Sequence, residues 1–77
     1  MKNVTVYTTT TCPYCILVKR FLSEQNIPFT EINLDFQPEY MQKVVSATGQ
    51  YGVPQTEIDG KWIVGYNPTA IMQALQN

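Results

Sequence analysis

Seventy-seven residues support one small domain, read here as 1–77, in the size range where folding buries only roughly 60% of the surface of the unfolded chain. Five Lys/Arg against six Asp/Glu leave a formal net charge of −1 with no basic stripe, which argues against nucleic acid and anionic membrane surfaces as partners. With 44% apolar and 14% charged residues the composition is that of a soluble globule, "MKNVTVY" lacks the apolar core of a signal peptide, and no apolar run approaches the length of a bilayer span, so the chain reads as cytosolic.

In chain order, "NVTVY" sets Val4 and Val6 between polar neighbours and predicts a strand ending near Thr8. From Pro13 the period changes. Tyr14, Leu17, Val18, Phe21 and Leu22 recur at helical spacing, Pro13 suits a first helical turn, and Gln25-Asn26 before Pro28 ends the helix. "FTEINL" alternates again, with Thr30, Ile32 and Leu34 on one face, completing a βαβ unit whose parallel strands need a crossover of this length. After Pro38 a second helix carries Met41, Val44, Val45 and Thr48, and Gly49 stops it. "QTEIDGKWIV" predicts a hairpin turning at Asp59-Gly60, where positive φ is needed. Asn67 and Pro68 cap and start a last helix with Ile71, Met72 and Leu75 inward. The order βαβ-α-ββα predicts an α/β domain: a four-stranded mixed sheet with three helices packed on it.

The chemistry sits at Cys12-Pro13-Tyr14-Cys15, where the first strand hands over to the first helix. A C-x-x-C at such a junction in a βαβ chain is the arrangement of a thioredoxin-like redox centre. Cys12 falls at the helix N-terminus, where unpaired N–H groups and the positive end of the macrodipole favour a thiolate, and is expected to be the nucleophile. Cys15, one turn on and on the same side, is expected to attack the mixed disulfide that Cys12 forms and so resolve it. A staple is a poor alternative, because a three-residue separation constrains the unfolded chain very little and cytosolic thiols are kept reduced. With two cysteines and no histidine the chain falls short of the four Cys/His ligands that a zinc site usually takes, and it lacks the histidine of Cys/His hydrolase chemistry. A cluster shared between chains stays open as a reading from another class, a non-catalytic thiol or metal-cluster carrier. Lys19, four residues after Cys15, either adds positive potential to this face or is simply solvated.

"TTTTCPYC", with "ATGQYGVP" and "WIVGYNP" downstream, resembles the glutaredoxin family over nearly the full length. The resemblance implies a thioredoxin fold and a dithiol oxidoreductase with no cofactor beyond its own Cys12/Cys15 disulfide. It also implies a cis peptide bond between Val53 and Pro54 beside the cysteines, with Val53 offering backbone hydrogen bonds to substrate. Pro13 and Tyr14 flank the thiols, and Gln50 matches a position that binds the glycine carboxylate of glutathione. The rest of a glutathione site departs from the family: Thr9 stands where glutaredoxins carry a lysine, and aligning Gly65 with the second glycine of the Gly-Gly-x-Asp-Asp motif puts Val64 on the first and Asn67 and Pro68 on the acids. Gly65-Tyr66-Asn67-Pro68 resembles instead the Gly-aromatic-x-Pro of glutaredoxin-like redoxins that serve ribonucleotide reductase. The expectation is therefore a monomeric reductant of protein disulfides, ribonucleotide reductase among them, re-reduced by a thioredoxin reductase, with a glutathione-dependent glutaredoxin as the alternative.

Overall fold

The structure, a computed structural model, describes residues 2–76, and its elements follow the hydrophobic periods of the sequence: β1 (Val4–Thr8), α1 (Pro13–Glu24), β2 (Thr30–Asn33), α2 (Met41–Thr48), β3 (Gln55–Ile58), β4 (Lys61–Val64) and α3 (Pro68–Gln76). A 3-10 turn at Pro38–Tyr40 leads into α2. β1 runs parallel to β2, with Tyr7 opposite Ile32, and antiparallel to β3, with Val4 opposite Ile58. β3 pairs antiparallel with β4, with Gln55 opposite Val64, so the sheet order is β2-β1-β3-β4. This is the four-stranded mixed sheet with three helices that the sequence predicts.

The local stops act where the residue types require. Asn26 takes φ of 58° after α1, with the Ile27 N–H donating to the Leu22 carbonyl at 2.9 Å. Gly49 ends α2 in the left-handed region (φ 72°), its N–H 2.7 Å from the Val45 carbonyl. Asp59 and Gly60 both have positive φ, 48° and 89°, the pair of values a two-residue hairpin turn needs. Asn67 Oδ1 accepts the Ala70 N–H at 3.1 Å and starts α3 ahead of Pro68.

Helices cover both faces of the sheet. On one face Val18 and Leu22 of α1 and Ile71 and Ala74 of α3 pack with Val4, Val6, Ile58 and Ile63. On the other, Val44 of α2 packs with Tyr7 and Leu34, and Trp62 stacks on Tyr7 with ring centroids 5.3 Å apart. Leu22, Ile58 and Ile71 have no exposed surface, and burial of each such side chain contributes about 1.5–3 kcal/mol. β1 is thus buried on both faces, as a central strand must be, although its alternation reads as half-buried.

Two side chains differ from expectation. The buried stripe of α1 is Cys15, Val18 and Leu22, while Tyr14 projects from the first turn at 61% exposure. In α3 the inward residues are Ile71 and Ala74, with Leu75 packed at the margin. Met72 is half-buried and lines a shallow groove with Ile27 and Pro28. A 100° step puts residue 72 to the side of the line joining 71 and 74, and the small Ala74 lets the helix approach the sheet there.

Candidate active site

The strand directions place the C-terminal ends of β1, β2 and β4 and the N-terminal end of β3 at one end of the sheet. Every site residue nominated by the sequence lies on a segment at that end. Cys12, Pro13, Tyr14 and Cys15 follow β1, Gln50, Val53 and Pro54 precede β3, and Gly65, Tyr66 and Asn67 follow β4.

Cys12 and Cys15 form a disulfide, their Cα atoms 5.3 Å apart. Cys12 is the N-cap of α1, with extended backbone (φ −147°, ψ 97°), and its Sγ accepts the Cys15 N–H at 3.1 Å. The open end of the helix thereby directs one of its unpaired donors at the first sulfur. Exposure separates the two cysteines as well: Cys12 is half-buried, whereas Cys15 is 1% exposed on the inner face of α1. One sulfur faces the outside from a site that favours an anion, and the other waits behind it.

The Val53–Pro54 bond is cis, the geometry implied by the resemblance, and Pro54 is buried. Its carbonyl accepts the Gly65 N–H at 2.8 Å, which joins the segment before β3 to the one after β4. Gly65 has φ of 85°, a value that a side chain there would resist. Tyr66 is exposed and Val53 half-buried beside this junction. Gln50 and Asn67 are less committed to a ligand: the Gln50 side chain is exposed, and the Asn67 side-chain oxygen is engaged by the start of α3.

Gln55 was not evident as a site residue from the sequence. Its side chain is completely buried, with Nε2 donating to the carbonyls of Gln50 (3.0 Å) and Gly52 (2.9 Å) and Oε1 accepting from the Thr48 hydroxyl (2.9 Å). One amide thus fixes the loop that carries Gln50 and leads into Val53. Its only signal in the sequence is a polar residue opening a strand directly after Pro54, and its partners are visible only in the folded loop. Gln55→Leu is expected to lower stability by roughly 1–3 kcal/mol in urea unfolding, the cost of leaving buried polar groups unpaired. Retention of full stability would show that water replaces the amide.

Two further contacts hold the segment before Cys12. The Thr10 N–H donates to Asp35 Oδ2 at 2.8 Å, and bonds from Thr10 hold the Asp35 carboxyl below the usual carboxylate range. Glu31 Oε2 accepts from the Thr8 hydroxyl at 2.8 Å and from the Lys19 ammonium at 3.0 Å. Burial pushes the Glu31 carboxyl up, but these two donors outweigh it and hold it down. Lys19 therefore spends its charge on β2, neither simply solvated nor aimed at the sulfurs.

A family model described as Glutaredoxin matches residues 4–63. The glutaredoxin-like protein NrdH of Lactococcus lactis subsp. cremoris is 40% identical over 68 residues, covering 88% of this chain and 93% of the relative. Glutaredoxin 3 of Escherichia coli K12 is 37% identical over 65 residues, covering 84% of this chain and 78% of the relative. Among solved structures, the glutaredoxin-like NrdH-redoxin of Escherichia coli, described as having a thioredoxin-like activity profile, superposes with a TM-score of 0.81 at 27% identity over 92% of each chain. The architecture is that of the thioredoxin fold.

Proposed function

The chain belongs to the glutaredoxin family, a thiol-disulfide oxidoreductase by its fold and dithiol, and from that premise we propose that it reduces protein disulfides through Cys12 and Cys15 and is itself re-reduced by a thioredoxin reductase. The observation that carries the chemistry is the Cys15 N–H held on Cys12 Sγ at the open end of α1, with Cys15 buried behind it. The Cys12 thiolate attacks one sulfur of the substrate disulfide, forming a mixed disulfide and expelling the other substrate sulfur as a thiolate. Cys15 then gives up its proton and attacks the Cys12 sulfur. The Cys12–Cys15 disulfide forms, the second substrate thiolate leaves, and two electrons have passed from the dithiol to the substrate. In this reading Pro13 and Tyr14 border the sulfurs, and the Val53 backbone beside Pro54, with Gly65 and Tyr66, receives the substrate chain. The cycle suits a reducing cytoplasm.

The choice of reductant rests on charge. The loops at the dithiol end, 9–14, 34–40, 49–54 and 65–68, contain Asp35 and Glu39 and no lysine or arginine. Glutathione brings two carboxylates and an amine, and these loops offer no side-chain cation to receive the carboxylates. The thioredoxin-like profile ascribed to the Escherichia coli NrdH-redoxin supports the same choice, and the likeness to redoxins serving ribonucleotide reductase makes that enzyme a substrate to try first. The test supplies NADPH with thioredoxin reductase in one assay and with glutathione and glutathione reductase in another. Faster turnover with thioredoxin reductase is expected, and turnover with glutathione at an equal or greater rate would overturn the choice.

A further inference from the structure

Six large hydrophobic side chains are exposed among the described residues, Tyr14, Ile16, Phe36, Tyr51, Val64 and Tyr66, and all six lie on segments at the dithiol end. The sheet order ranks them. Phe36 follows β2, Tyr14 and Ile16 follow β1, Tyr51 precedes β3, and Val64 and Tyr66 end and follow β4. Phe36 therefore stands on one side of the dithiol, and Tyr51, Val64 and Tyr66 stand on the other. Four strands at about 4.8 Å spacing span roughly 14 Å, which an extended peptide covers in about five residues.

The substrate contacts implied by family resemblance fall on the β1, β3 and β4 segments, and none falls on Phe36. Yet Phe36 is the most exposed of the six, at 77%, and belongs to neither core cluster. Its turn is fixed. The Asn33 carbonyl accepts the N–H groups of Phe36 (3.1 Å) and Gln37 (2.9 Å), the Leu34 N–H donates to the Thr8 carbonyl (2.8 Å), and Asp35 holds the Thr10 N–H (2.8 Å). The ring is thus presented one residue from a bond whose other end is two residues from Cys12. A hydrogen-bonded turn that displays a phenylalanine at the dithiol end adds nothing to the core, and its apolar surface leaves water only when something docks there.

We propose that Phe36 is a substrate anchor. The dithiol end receives an extended, cysteine-bearing segment of a protein disulfide, with an aromatic or aliphatic side chain one or two residues from the cysteine lying on Phe36 and a neighbouring lysine or arginine facing Asp35 and Glu39. The inference rests on the reading of this chain as a protein disulfide reductase. That chemistry identifies the occupant, because whatever exchanges with Cys12 lies against this surface for the lifetime of the mixed disulfide. The charge of the surrounding loops, two acids and no base, selects a segment that is basic or neutral rather than acidic.

The test follows single turnover of the reduced protein by stopped flow, comparing wild type with Phe36→Ser. The oxidants are a ten-residue peptide disulfide flanked by Phe and Arg, the same peptide with Ser and Glu in those places, and hydroxyethyl disulfide, which has no flanks. Phe36→Ser is expected to slow the Phe/Arg peptide about tenfold, as loss of a buried aromatic contact implies, and to leave hydroxyethyl disulfide within twofold of wild type. It is also expected to shrink the wild-type preference for Phe/Arg over Ser/Glu. No change with the Phe/Arg peptide, or an equal slowing with hydroxyethyl disulfide, overturns the anchor while the reductase reading stands. A wild-type protein that exchanges with hydroxyethyl disulfide but with neither peptide overturns both.

Discussion

Cys12→Ser is expected to reduce disulfide turnover to background, whereas Cys15→Ser is expected to retain the first exchange and accumulate a mixed disulfide with substrate. The asymmetry follows from the two environments. A hydrogen bond to a charged acceptor contributes about 1.5–3 kcal/mol and an anion at a helix N-terminus gains about 0.3–1 kcal/mol, so the Cys12 thiolate is favoured tenfold or more by its position. Cys15 is buried on the inner face of the helix, where an outside disulfide cannot reach it and Cys12 can. Alkylation of single-cysteine variants near neutral pH measures the difference: iodoacetamide is expected to react at least about tenfold faster at Cys12. Faster reaction at Cys15 would reverse the two roles and with them the order of steps in the cycle.

What the sequence revealed divides along the range of the contacts involved. The sulfur chemistry was legible because it is local: a cap, a proline at the first helical position and a second cysteine one turn later are set by spacing alone. Gly49, Asp59-Gly60 and Asn67-Pro68 were legible for the same reason, each being a backbone requirement of the residue type in place. Gln55 was hidden because its partners, Thr48, Gln50 and Gly52, meet it only once the loop after α2 has closed over β3. Lys19 and Glu31 are 12 residues apart and join only through the parallel pairing of β1 with β2. Periodicity also misplaced Tyr14. It counts apolar residues at helical spacing, but Tyr14 stands a step of about 100° around the first turn of α1 from the buried Cys15, on the side left exposed.

The largest gain of function is expected from restoring charge at the positions that depart from the family. Thr9→Lys combined with Asn67→Asp puts a cation on the loop before Cys12 and a carboxylate beside Gly65, one for a glutathione carboxylate and one for its amine. Asn67 is replaceable without loss of the helix start, since an aspartate caps α3 as well as the asparagine that now accepts the Ala70 N–H. Thr9 is half-buried, and a lysine there reaches water by its flexible stem. Each charged hydrogen bond regained is worth roughly 1.5–3 kcal/mol, so the pair is expected to improve glutathione binding by about two powers of ten or more. Val64 remains, with its side chain exposed where the family has glycine, and works against the full effect. The measurement is the ratio of turnover with glutathione and its reductase to turnover with thioredoxin reductase, wild type against double variant. A ratio that rises shows that charge at these two positions sets the reductant, and an unchanged ratio shows that the tripeptide never meets them, leaving main-chain contacts at Val53 to decide.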